Sequence, residues 1–222
     1  ASEDYASHFI TSSFSRILRF ISTFISLTLP AAYISITSYH QEMIPTELAV
    51  SIIESKKGVP FSTFIEVIMM LLAFEVLLEA GLRLPKAVGQ AVSIVGALVV
   101  GEAAITAKIL SPCVVIIIST AGITGFVIPS QDMSNAIRLL RFVLVVFSVL
   151  GGLFGISIGL IIILYHLCSI EVFGVPYMSP FVSMEGKGIF EDTLFRQQWS
   201  KAKKRPPNIS TKDSIAKGET VK

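Results

Sequence analysis

Charge is scarce in this sequence. Asp, Glu, Lys and Arg make up 15% of its 222 residues, against 52% hydrophobic residues. A soluble domain of this length needs far more polar surface, so the deficit excludes an ordinary globular enzyme or binding module. Cysteine is nearly absent. Cys113 and Cys168 both lie in apolar segments, where a thiol behaves as a small hydrophobe, so neither a disulfide framework nor a metal site is expected. The three histidines, His8, His40 and His166, are scattered, and no HExxH, GxSxG or phosphate-loop pattern occurs. Nothing here points to catalysis, a cofactor or nucleic acid.

What the chain has in abundance is apolar runs of membrane length. With a mean hydropathy of +0.73, it reads as an all-α polytopic integral membrane protein with about four full transmembrane helices, a broken or re-entrant segment and a polar C-terminal tail. Residues 1–16 read as the end of a preceding segment, 17–181 as the transmembrane domain and 182–222 as a basic cytoplasmic tail. Arg16 and Arg19 before an apolar run ending near Pro30-Ala31-Ala32 have the outline of a signal peptide, but Glu3 and Asp4 in a polar opening argue against one. The tail carries nine basic and five acidic residues, and its Lys201-Lys203-Lys204-Arg205 cluster fits either anionic lipid or a solvated positive-inside signal.

The first span is expected from Ile17 to Ser38, with Pro30 inside it. Thr46 then reads as the N-cap and Gly58 as the stop of a short amphipathic helix. The second span, Phe61 to Ala80, holds Glu66, Glu75 and Glu79. Intramembrane carboxylates are costly unless they meet protein or water. Glu75 and Glu79 share a face, while Glu66 lies on roughly the opposite one. Pairing with neighbouring helices and a functional role both remain open for Glu66 and Glu75.

Between Ala87 and Ile128 lie 42 almost wholly apolar or small residues. As one helix they would reach about 63 Å, twice a bilayer core. The stretch must break, and Ser111-Pro112 is its strongest breaker. Wound as a helix, Gln90, Ser93, Ala97, Gly101, Ala104, Lys108 and Ser111 fall in one small or polar stripe about 80° wide. Close packing through small residues and the wall of a hydrated pathway are the two readings of it. Val99 and Val100, between Gly96 and Gly101, would suit a hydrophobic gate. Glu102 shares another side of the helix with Thr106, so its partners come from other helices or subunits.

Ile137 to Cys168 begins with Arg138 and Arg141 and continues as about 30 apolar residues, a span plus an interfacial turn. Gly151, Gly155 and Gly159 repeat every fourth residue and predict close approach by another helix. The basic tail, Arg16/Arg19 and the Arg83/Lys86 turn all favour the cytoplasmic side, which makes the number of crossings even. Five candidate segments exist, so one within Ala87 to Ile128 is expected to be broken or re-entrant. Arg138 and Arg141 then fall on the wrong side.

The stretches SEDY, LPAAYIS, HQEMIP, GVPFSTFIE, FEVLLEAGLRLPKAVGQAVSIVGALVVGEAA, SPCVVIIISTAGITGFVIPS, IRLLRF and HLCSIEVFGVPYMSPF span about four fifths of the chain. With them the sequence resembles the membrane half of the A subunit of GerA-type spore germinant receptors. That resemblance implies a nutrient-sensing subunit in the spore inner membrane, beside a transporter-like B subunit and a lipoprotein C subunit. It also implies A subunits that oligomerise around a path for monovalent cations. The resemblance also implies a large soluble domain ahead of the membrane part, which these 222 residues do not include. Leu71 and Leu78 stand where the family more often has a charged residue, which weakens an ion path along the second span. A secondary transporter and a non-conducting scaffold are the alternatives to a nutrient-gated channel, though no inverted repeat supports the transporter.

Overall fold

The computed structural model describes residues 8–83, 101–172 and 175–178. Its helices are α1 (Phe9–Ser38), α2 (Thr46–Lys56), α3 (Thr63–Arg83), a helical stretch α4 whose described part is 101–106, α5 (Pro112–Gly125) and α6 (Gln131–Ser169). A 3-10 turn, Gln41–Met43, follows α1. Helix α1 begins eight residues earlier than expected, because nothing in Phe9–Arg16 breaks a helix. Helix α2 starts at Thr46 with Pro45 in the capping position and no side-chain cap, so Thr46 is not the N-cap. Gly58, at φ +91, turns the chain out of α2 as expected of a glycine there.

The chain divides into two compact units. In the smaller, residues 9–21 of α1 and 160–169 of α6 are helical, and two-residue strands β1 (Glu171–Val172) and β2 (Val175–Pro176) pair antiparallel. The Tyr177 N–H donates to the Ile170 carbonyl at 2.9 Å and closes that pairing. This small hairpin departs from the all-helical expectation.

In the larger unit, Ser22–Gly159, α5 runs parallel to α3. Ser111, ahead of α5, meets Glu66 near the start of α3, and a Cβ on Gly122 would lie 2.5 Å from the Phe74 ring, further along it. Only a residue without a side chain permits that approach. Where α4 ends, the Ile109 N–H bonds to the Ala104 carbonyl and the Lys108 N–H to that of Ile105, with Lys108 at φ 54. This is a Schellman ending, whose left-handed position is usually glycine. The predicted break at Ser111-Pro112 follows at once, with Pro112 at the first turn of α5.

Helix α6 is not continuous. Gly151 (φ −143, ψ 16) and Gly152 (φ 58, ψ −137) leave helical geometry, and the chain reverses there. A Cβ on Gly155 would overlap the Phe147 carbonyl, and one on Gly159 would lie 2.7 Å from Leu144. In a straight helix residues 147 and 155 would be about 12 Å apart along the axis. The glycine ladder therefore receives the preceding half of its own segment rather than a separate helix, and the expected span plus interfacial turn is a tight helical hairpin.

Polar groups share the core with apolar ones, and large apolar groups crowd the surface. Glu66, Arg141, Ser26, Ser35, Ser111 and Ser148 are buried, while Phe14, Phe24, Ile116, Ile123, Leu139, Leu150 and Phe154 are exposed. Large apolar groups outside and charges inside are what lipid solvation favours. Helices α1 and α6 are also long and apolar enough to cross a membrane. A Gly155→Ala substitution is expected to destabilise the hairpin by about 3 kcal/mol. Gly151→Ala, with nothing within 4 Å of its Cβ, should leave thermal unfolding in detergent nearly unchanged.

Candidate functional site

Proline at position 30 has no N–H to give to the carbonyl four residues earlier, Ser26. Arg141 fills that gap. Its Nε donates to the Ser26 carbonyl at 2.7 Å, and its Nη2 to Ser26 Oγ and to the Ala121 carbonyl, the latter at 3.1 Å. Ser26 Oγ passes its own proton to the Ala121 carbonyl at 2.9 Å. One guanidinium thus ties α1, α5 and α6 together, 4% exposed. Gly125 leaves room for it, since a Cβ there would come 3.2 Å from Ser26 Oγ.

A second junction forms at the helix break. Glu66 is fully buried; its Oε2 accepts the Ser111 N–H at 2.8 Å and its Oε1 pairs with Lys56 Nζ at 3.2 Å. Lys56 Nζ also donates to Thr63 Oγ1. The carboxylate sits at the start of α5, where the helix dipole favours negative charge. Cys113 lies 3.6 Å from Ser55 of α2, so the same break is tied to α2 twice. Further along α3, Glu75 pairs with Arg138 at 2.9 Å, and Arg138 also donates to Asn135 Oδ1. At the hairpin turn of α6, the Tyr39 hydroxyl donates to the Val149 carbonyl, which the reversal has left without its helical partner.

Between the end of α5, the start of α6 and α3 lies a cleft of about 250 Å³, whose wall includes Arg138, Arg141, Gln131, Phe126 and Leu78.

Of the residues singled out in the sequence, Gln90, Ser93, Gly96, Ala97, Val99 and Val100 lie outside the described residues, as do the Leu84–Lys86 turn and the basic tail. Gly101 is buried and faces Val115 of α5 at 3.7 Å from its would-be Cβ. Ala104 is half-buried, whereas Glu102, Ala103, Thr106 and Ala107 are exposed. The packed side of α4 is therefore the Gly101 side, and its open side carries Glu102 and Thr106. Lys108 leaves the stripe because the helix has ended; its side chain crosses Gly58, 3.0 Å from the Cβ that glycine lacks. Glu66 and Glu75 are each in an ion pair, and Gly151, Gly155 and Gly159 form the hairpin.

Arg138 and Arg141 carried a topological reading only, and Ser26, Tyr39, Lys56 and Ser111 carried no role as partners. Pro30 held the missing signal: a proline inside a buried helix needs a donor for residue 26.

Glu66→Ala, which strands Lys56 and the Ser111 N–H, should cost about 3–5 kcal/mol, with much of that recovered in Lys56→Met/Glu66→Leu, as a double-mutant cycle of thermal unfolding would report. Lys108→Gly should stabilise by about 1 kcal/mol by relieving the left-handed backbone.

The family described as Bacillus/Clostridium GerA spore germination protein matches residues 1–208. Spore germination protein KA of Bacillus subtilis (strain 168) is 46% identical over 98% of the chain and 40% of the relative. Uncharacterized membrane protein YfkQ of the same organism is 44% identical over 95% and 41%. Spore germination protein GerLA of Bacillus cereus is 40% identical over 96% and 43%. No solved structure matches. The chain spans about two fifths of the length of these relatives. Large apolar groups on the surface, a proline inside α1, helix breaks at Ser111-Pro112 and Gly151-Gly152, and a family match over most of its length make one assignment: this chain belongs to the GerA family of spore germination proteins.

Proposed function

We propose that this chain is the membrane part of a germinant receptor A subunit in the spore inner membrane, and that copies of it assemble around a nutrient-gated path for monovalent cations. A transporter-like B subunit and a lipoprotein C subunit stand beside it in this reading. The observation that carries it is the open side of α4. Glu102 and Thr106 are exposed on a helix whose other side packs on α5. Among the described residues Glu102 has no ion pair or hydrogen bond, and in a lipid-solvated protein an exposed carboxylate needs water or a neighbouring subunit. A shared axis supplies both.

Four crossings by α1, α3 and the two halves of α6 suit this reading. Among the described residues the chain reverses beside Gly58, where Lys108 passes over that glycine and Ser111 meets α3. The Arg138/Arg141 end of α6 then lies on the cytoplasmic side with Arg83, as the positive-inside rule prefers. The scaffold reading draws on the same helix-to-helix junctions but leaves Glu102 unexplained.

Val99 and Val100, just ahead of Gly101 in the sequence, stand on the sequence's expectation of a dewetting constriction. Val100→Ala is expected to leak monovalent cations from spores without nutrient, and Glu102→Gln to lower nutrient-triggered cation release several-fold. Cation retention as in the parent in Val99→Ala, Val100→Ala and Glu102→Gln spores alike would remove the channel reading.

A further inference from the structure

Arg141 is buried, and its hydrogen bonds all go to neutral oxygens, the carbonyls of Ser26 and Ala121 and the hydroxyl of Ser26. Among the described residues no carboxylate pairs with it. Its neighbour on the cleft wall, Arg138, is matched by Glu75, and the Nε of Arg138 is buried without a hydrogen-bond partner. Two guanidiniums against one carboxylate leave one positive charge uncompensated in poorly solvated surroundings, where a counter-anion is strongly favoured. The cleft they line holds about 250 Å³, room for an anionic headgroup and its first few carbons at about 30 Å³ per water-sized group. Its remaining wall is divided: Gln131 is polar and exposed, whereas Leu78, Phe126 and Ile128 are apolar.

We propose that this cleft binds an anionic amphiphile, with a phosphate or carboxylate on the Arg138/Arg141 edge and an alkyl chain along Phe126 and Ile128. A guanidinium presents paired N–H donors to such groups, and the Arg141 fork is already held rigid by Ser26 and Ala121. The ligand can come from the membrane, as an acidic phospholipid, or from solution, as a small organic acid. In either case it neutralises the junction on which α1, α5 and α6 meet, so its occupancy sets how firmly those helices are joined.

The test uses the whole protein purified in a neutral detergent and native mass spectrometry with phosphatidylglycerol, phosphatidylcholine, inorganic phosphate and hexanoate. Saturable one-to-one binding of phosphatidylglycerol or hexanoate, at least tenfold tighter than phosphatidylcholine, is expected. Competition by hexanoate assigns the site to soluble acids, and binding of phosphatidylglycerol that hexanoate and phosphate do not displace assigns it to lipid. Gln131→Glu places a carboxylate in the cleft at an exposed helix start, and should weaken binding at least tenfold with unchanged thermal unfolding of the ligand-free protein. Phe126→Glu, at the exposed mouth, must act in the same direction and stands in should the first variant not fold. Equal binding of phosphatidylcholine, no saturable binding of any probe, or affinities unmoved by both variants would overturn the proposal.

Discussion

A helix that breaks inside an apolar environment leaves backbone groups with nothing to bond, and in lipid no water makes up the loss. At three places among the described residues of the larger unit a backbone group loses its helical partner, and a polar side chain from elsewhere answers each loss. Pro30 frees the Ser26 carbonyl, which Arg141 takes. Ser111, ahead of Pro112, gives its N–H to Glu66. The Gly151-Gly152 reversal opens the Val149 carbonyl, which Tyr39 takes. The scarce polar residues of an apolar sequence are thus concentrated where the backbone needs them.

The same accounting explains charges that look misplaced along the chain. Arg138 and Arg141 are not free loop charges. Each is consumed inside the fold, one by Glu75 and the other by backbone oxygens and a serine. Glu66 likewise serves as the anchor of α5 rather than as a free carboxylate. Glu102 differs from these: it is exposed and unpaired among the described residues, which is why the proposed axis rests on it.

Much of this architecture is legible in the sequence, because breakers act locally. Pro30, Gly58 and Ser111-Pro112 mark their own positions, and the carboxylates of α3 announce that partners exist. Which partners cannot be read locally, since Lys56 and Ser111 are brought to Glu66 only by the way α2 and the parallel helix α5 pack on α3. The glycine ladder shows the same limit. Spacing of four says that something approaches to backbone distance, but not that it is the same segment folded back, because the decisive residue is Gly152 and its φ of 58. Lys108 is the converse case, a non-glycine residue at a position whose backbone favours glycine, so the helical stripe drawn through it stops short.

Helix α3 is fastened near its start and again just past its middle, on opposite flanks, by Glu66 to α2 and the head of α5, and by Glu75 to Arg138. Such a rod cannot turn about its axis a little at a time. A twist of one residue, about 100°, would carry both carboxylates away from their cations together. Any rotation of it would have to be a two-position throw, with the Lys56–Glu66 pair broken or made whole.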